Sequence, residues 1–172
     1  RSGSTPNELY VAALSTDGIS VLSSAHIAAL TSSAVSILST LQLAALTTGQ
    51  VLALENEDIG VLRPRQIAAF NTEAFAALAS DQLAALNTSV IVSLTTAQVA
   101  ALNSSQLEAL TSTQYAAFST AQVAVFTSEQ VLAIESADIA ALSAPQIMAL
   151  STAALASLSS SQLAALSSSV LT

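Results

Sequence analysis

A large apolar residue returns at every eighth position of the chain, from Leu14, Leu22, Leu30 and Leu38 through Phe70, Leu94, Phe118, Phe126 and Ile134 to Leu166, and the register never slips. A second apolar series is offset from the first by five residues. It runs from Val11 through Ile19, Ile27, Val51, Ile67, Leu83, Ile91, Leu107, Tyr115, Val123, Ile139 and Leu163 to Leu171. With the first series as position one and the second as position six, positions seven and eight are mostly Ala. Positions two and three are mostly Ser, Thr or Asn, and position five is most often Gln, as at Gln42, Gln82, Gln98, Gln114 and Gln162. The consensus octad is L-[ST]-[ST]-x-Q-[LIV]-A-A. Self-similarity at a fixed short period takes precedence over any reading of single elements, because it dictates the architecture.

The polar half of the octad predicts a helix start. With position two as the N-cap, position five is the third helical residue, and Ser/Thr-x-x-Gln is a capping box: the hydroxyl takes the amide of position five, and the Gln reaches back to the cap's own N–H. Positions one and six are then the two partners of a hydrophobic staple. Pro64 falls on the first helical position and Pro145 on the second, where donors are unpaired in any case. Asp58 and Asp138 stand at the third helical position behind Glu55 and Glu135 at the cap, where acidic groups favour the positive helix end.

A fresh cap every eight residues leaves room for about two turns of helix, so one octad is one miniature helix with its turn. Helices this short are marginal alone and must be stabilised by stacking. The Ala positions beside the large apolar pair predict a helix that is apolar nearly all round behind its cap and buried by its neighbours. The fold class is therefore an all-α solenoid of very short N-capped helices. Exceptions at position five recur sixteen residues apart, as Asp58, Ala74, Val90 and again Asp138, Ala154, Val170, and Val61, Ser93, Val125 and Ser157 recur at thirty-two, which is read as two octads per coil in preference to three or four. A continuous helix would need a hydrophobic period near 3.6 and would carry Pro64 and Pro145 inside it. A β-solenoid is the alternative to the helical one, but Ala, Leu and Gln favour helix and the apolar spacing does not alternate.

Composition narrows the reading. Among 172 residues, 52% are hydrophobic and 8% charged, so the chain can build a core, and residues 6–172 read as one continuous repeat domain. The opening residues 1–5 begin "RSGS" and read as a cloning scar outside the fold. Ser and Thr interrupt every apolar run well short of a bilayer's span, so no membrane insertion is expected. A net charge of −8 with Arg1, Arg63 and Arg65 as the basic residues leaves no face for phosphate backbones, so no nucleic-acid partner is expected. Without Cys there is no disulfide or thiolate site.

Candidate chemistry is sparse. His26, the one histidine, could be imagined in a dyad with Ser23 or Ser24, but it stands where other octads carry Gln and reads as a tolerated capping residue. Glu55, Glu57 and Asp58, and Glu135 with Asp138, could offer oxygens to Ca²⁺, yet helix-start acids explain them and no ligand loop with a turn Gly is present. Regular hydroxyls on a repeat could order water or bind ice or glycans, but these already serve as caps, where Ser, Thr and Asn interchange. Phe70, Phe118 and Phe126 replace one core residue, and Phe75 and Tyr115 the other. No catalytic residue, cofactor or metal is expected, and the chain is read as a non-enzyme.

The stretch "LTTAQVAAL", Leu94 to Leu102, looks like the opening helix of TAL-effector repeats, but the second helix and longer unit of those repeats are missing, so no DNA-reading role is carried over. Across its length the chain is more similar to the Leu-Ser/Thr-x-x-Gln-Ile/Val-x-Ala-Leu octapeptide tracts of large bacterial surface or secreted proteins. That resemblance implies a spacer or stalk, extracellular or at the cell surface, holding another domain away. The alternative is a solenoid scaffold whose surface binds a protein partner. Because the octads continue unchanged to the terminus, Leu158, Leu163, Leu166 and Leu171 are expected to be open at the end of the array, which predicts self-association through the solenoid ends.

Overall fold

The computed structural model describes the backbone of residues 6–170 and the side chains of residues 9–166; Leu171 and residues 1–5, read above as lying outside the fold, are beyond that range. Each octad folds as its capping pattern predicts. A helix of five residues at Thr16–Ser20 is followed, octad by octad, by others of four to six residues, such as Thr88–Ser93 and Thr120–Val123. Longer helices stand at either end of the described chain, Pro6–Ala13 and Ser160–Val170. No strand is present among the described residues.

How the chain turns every eight residues follows from two backbone states. The last helical turn tightens, because the position-one N–H donates to the position-six carbonyl three residues back, as in Leu46 to Leu43 and Leu102 to Val99, both at 3.2 Å. Position one and the next N-cap are then extended: Leu94 has φ −57° and ψ 138°, and Thr95 φ −71° and ψ 152°. Such values are open to any residue, and no described residue has positive φ, so the turn does not depend on glycine. Pro64 opens its helix, and Pro145 is the second residue of helix Ala144–Ala149.

The chain divides into two compact units, up to Leu86 and from Asn87 onward, and each is built alike. In the first, helix Thr40–Ala44 packs on Thr16–Ser20 and on Pro64–Ala68, and Thr48–Leu52 packs on Ser24–Ala28 and on Thr72–Ala76. In the second, Thr120–Val123 packs on Thr96–Ala100 and on Ala144–Ala149, and Ser128–Ala133 on Ser104–Glu108 and on Thr152–Ala156. Helices three octads apart are thus stacked neighbours. Hydrogen bonds between coils span 25 residues, from the Ser24 hydroxyl to Gly49, up to 31, from Gln42 to Val11, so a coil takes three octads and part of a fourth. The two-octad coil expected from the sequence is wrong. Its sixteen-residue signal came from exceptions at position five, whereas the large side chains of positions one and six need at least three helices to enclose them.

Burial identifies the inward face as positions one, five and six. Every position-six residue from Val11 to Ile139 is buried, as is every position-one residue from Leu38 to Leu150. The expectation of helices apolar and buried nearly all round is corrected: Ala44, Ala84, Ala100, Ala116 and Ala124 at position seven are exposed, and position eight is mostly half-buried. The reason is that glutamine at position five takes the third inward place. Gln42, Gln98, Gln114 and Gln122 are as buried as their apolar neighbours. Ile59→Ala, at a fully buried position six, is expected to lower stability by about 2–5 kcal/mol, whereas Ala100→Ser on the outer face changes it by less than about 0.5 kcal/mol, both measured by urea denaturation.

Candidate functional site

The feature that recurs in both units is a buried glutamine amide that binds one coil to the coil before it. In the octad of Gln122, the Ser119 hydroxyl accepts from the Gln122 N–H at 3.2 Å, and Gln122 Oε1 accepts from the Ser119 N–H at 2.7 Å. This closes the capping box. The same side chain then turns its amide NH₂ away from its own helix: Nε2 donates to the carbonyls of Ile91 at 2.8 Å and Leu94 at 2.7 Å, 31 and 28 residues back. Those are a position-six carbonyl, which also takes the N–H of its own position one, as Ile91 does from Leu94 at 3.2 Å, and a position-one carbonyl at the end of the helix.

This clamp recurs with little variation. Gln50 reaches Ile19 and Leu22 at 2.8 and 2.7 Å, Gln82 reaches Val51 and Leu54 at 3.0 and 2.7 Å, and Gln130 reaches Val99 and Leu102 at 3.0 and 2.8 Å. One side chain therefore satisfies an orphan N–H at a helix start and two carbonyls at a helix end in the neighbouring coil. No buried side-chain nitrogen or oxygen among the described residues is left without a partner. Glutamine suits the task because it pairs one acceptor oxygen with two N–H donors on a long stem. A carboxylate has no such donor, so Asp58 and Asp138 are where the pattern must change.

At Asp138 the change is compensated. The Asp138 carboxylate accepts from the Ser112 hydroxyl, and the Leu107 carbonyl, 31 residues before position 138, receives instead the hydroxyl of Tyr115 at 2.8 Å. Burial, and then the nearby Asp138 charge, push the Tyr115 phenol far above its ordinary range and keep it a donor. At Asp58 the carboxylate accepts the Ser32 hydroxyl at 2.8 Å and reaches back to the Glu55 N–H at 3.1 Å. Glu55 and Glu135 hold the N-cap position ahead of Asp58 and Asp138, where the sequence pattern puts them, without a side-chain capping bond of their own.

The remaining candidate residues take the structural roles expected of them. His26 Nδ1 accepts from the Ser23 N–H at 3.3 Å and the Ser23 hydroxyl accepts from the His26 N–H at 3.2 Å, so the pair is a capping box. The Ser24 hydroxyl donates to the Gly49 carbonyl at 3.2 Å, so neither serine is bonded as a nucleophile to the imidazole. Among the described residues no group of His, Asp or Glu is arranged to hold a metal ion. Phe75, Phe126 and Tyr115 are buried, and Phe118 packs edge to face on Phe126 with centroids 5.5 Å apart. Arg63 and Arg65 are exposed beside an open groove with Ser39 and Thr40. No helix among the described residues is long and apolar enough to cross a membrane.

Stacked short helices, one to each eight-residue unit, joined by a repeated side-chain clamp define a helical, solenoid-like repeat protein. Four matches to the ALTTAQ repeat, at residues 51–88, 80–112, 103–133 and 131–168, together run over more than half of the chain, which belongs to that family. No curated protein and no solved structure matches it. The family's motif stands in this chain as "ALTTGQ" at 45–50, "SLTTAQ" at 93–98 and "ALTSTQ" at 109–114. Its parts are the position-one core residue, the cap and the clamp glutamine.

Replacing Gln122 by Leu removes the partner of the Ser119 N–H and the amide bonds to the Leu94 and Ile91 carbonyls, of which Ile91 keeps the Leu94 N–H, so Gln122→Leu is expected to cost at least about 2 kcal/mol in chemical denaturation, more than an apolar swap of equal volume elsewhere. Tyr115→Phe removes the substitute donor at Asp138 and is expected to cost about 1–3 kcal/mol at neutral pH. Because the folded state holds the phenol's proton above its ordinary value near 10, the wild-type chain keeps this contribution in full below that pH and loses it progressively above. Tyr115→Phe should flatten that alkaline loss, read as melting temperature against pH.

Proposed function

We propose that the chain is a non-enzymatic structural repeat segment, a spacer or stalk within a larger bacterial protein that is secreted or held at the cell surface. The observation that supports this reading is the clamp itself: the polar side chains that the octads carry inward are spent on backbone groups of their own and the neighbouring coil, and none converges on a cavity as catalytic groups do. Cap hydroxyls are engaged in the same way. Each added coil repeats the same contacts, so such a segment can be lengthened without new chemistry, which suits spacing more than recognition.

The reading is tested through length. The chain has no Cys, so exposed Thr16 and Ser161 can be replaced by Cys and labelled with a dye pair in the full chain and in chains shortened by three or six internal octads. A spacer gives narrow distance distributions whose means fall by equal steps. A mean indifferent to the deletions, or a spread as wide as that of the denatured chain, would overturn the reading, as would a hydrolytic activity that disappears with His26→Ala.

A further inference from the structure

The two ends of the array differ in what they leave uncovered. In the first coil the position-six residues Val11, Ile19 and Ile27 are buried, but the position-one residues Leu14, Leu22 and Leu30 are only half-covered. In the last coil the relation reverses. Leu150 and Leu166 at position one are buried, while Leu155 and Leu163 at position six are 37% and 50% exposed and Ile147 is half-buried. The expectation of open leucines at this end thus holds for Leu163 and in part for Leu158, and fails for Leu166, which faces back into its own unit.

The pattern reveals how every inner layer is made. Position-six side chains of one coil meet position-one side chains of the next, so each end offers half of the same contact. The half at the first coil is concave: Tyr10, Leu14, Leu22, His26 and Leu30 line a groove. His26 adds a donor there. Its Nδ1 takes the role of the glutamine Oε1 in the capping box, which leaves Nε2–H where the clamp amide lies in later octads.

We propose that the chain associates head to tail with a second copy of itself, Leu155 and Leu163 of one copy seating in the groove formed by Tyr10, Leu14, Leu22 and Leu30 of the next. The occupant is identified by continuity with the inner layers, which join these same two positions in the same direction. Such a contact is heterologous: each copy has one end engaged, and the pair keeps one free end of each kind. It carries one imidazole donor in place of a row of glutamine amides, so it is weaker than an inner layer and reversible with concentration.

Sedimentation velocity of the 172-residue chain across a dilution series tests this, with Leu155→Lys/Leu163→Lys to block one end and Tyr10→Asp/Ala29→Arg to block the other. The altered residues are exposed, and circular dichroism confirms that each variant keeps its helicity and melting temperature. Wild-type chain should associate progressively, and each variant alone should weaken that association by more than about a hundredfold. An equimolar mixture of the two variants should form a one-to-one complex and stop there, because one competent end of each kind remains. A wild-type chain that stays monomeric at millimolar concentration would overturn the proposal. So would a groove-blocked variant that still dimerises alone, since that is a symmetric contact between position-six ends.

Discussion

Everything in this fold rests on one amide. An eight-residue helical unit has too few residues to satisfy its own ends: it opens with unpaired N–H groups and closes with unpaired carbonyls, and it meets those ends again every octad. In a longer helix the interior dilutes that burden. Here there is almost no interior, so the ends are most of the structure. Glutamine at position five solves both ends at once, with its oxygen on the cap N–H of its own helix and its nitrogen on two carbonyls of the coil before. Because the amide is buried, these bonds act away from competing water, and losing one partner strands the other in a dry layer. The same burial makes the unit dependent on its neighbour, which is why stability in such an array belongs to pairs of coils and not to octads.

The exceptions show how far this constraint reaches. Where Asp138 replaces glutamine, its carboxylate can accept but not donate, and the Leu107 carbonyl, which keeps its bond from the Leu110 N–H, takes a further one from a phenol in the octad that follows it, Tyr115. Tyrosine at that position is therefore not an arbitrary enlargement of a Val or Leu. It carries a hydroxyl to the place where an amide is missing. Where Ala74 replaces glutamine, the N-cap is asparagine, whose oxygen caps Ala74 at 2.8 Å while its nitrogen approaches the Ala44 carbonyl at 3.4 Å. The Asn71 side chain thus spreads a weaker version of the clamp's two duties from three positions earlier.

Which parts of this were legible follows from the range of each interaction. The capping box joins residues three apart, so Ser39 with Gln42 or Thr95 with Gln98 could be read as a helix start from spacing alone, and the all-α solenoid follows from repeating it. The second half of glutamine's role joins residues 28 and 31 apart, a distance set by the coil and not by the octad. Nothing in a single octad encodes that distance, which is why the spacing alone points to a two-octad coil and gives the glutamines only a capping role. A hint was present: capping alone tolerates Glu as well as Gln, yet position five holds no Glu anywhere in the chain. The alanines misled for a related reason. Small apolar residues beside a core position look buried, but with the amide occupying the third inward place the helix has no face left to hide them.

The same geometry fixes what a glutamine at position five can reach. A clamp needs a carbonyl pair 28 and 31 residues earlier, and Gln42 is matched to Val11 and Leu14 in helix Pro6–Ala13 and its turn. Gly18, His26 and Ala34, at position five of the three octads before it, take the local cap from Ser15, Ser23 and Thr31. The directional ends follow from this, since a chain whose inner layers are joined by donors reaching backward must present carbonyls and position-six side chains forward, and position-one side chains behind.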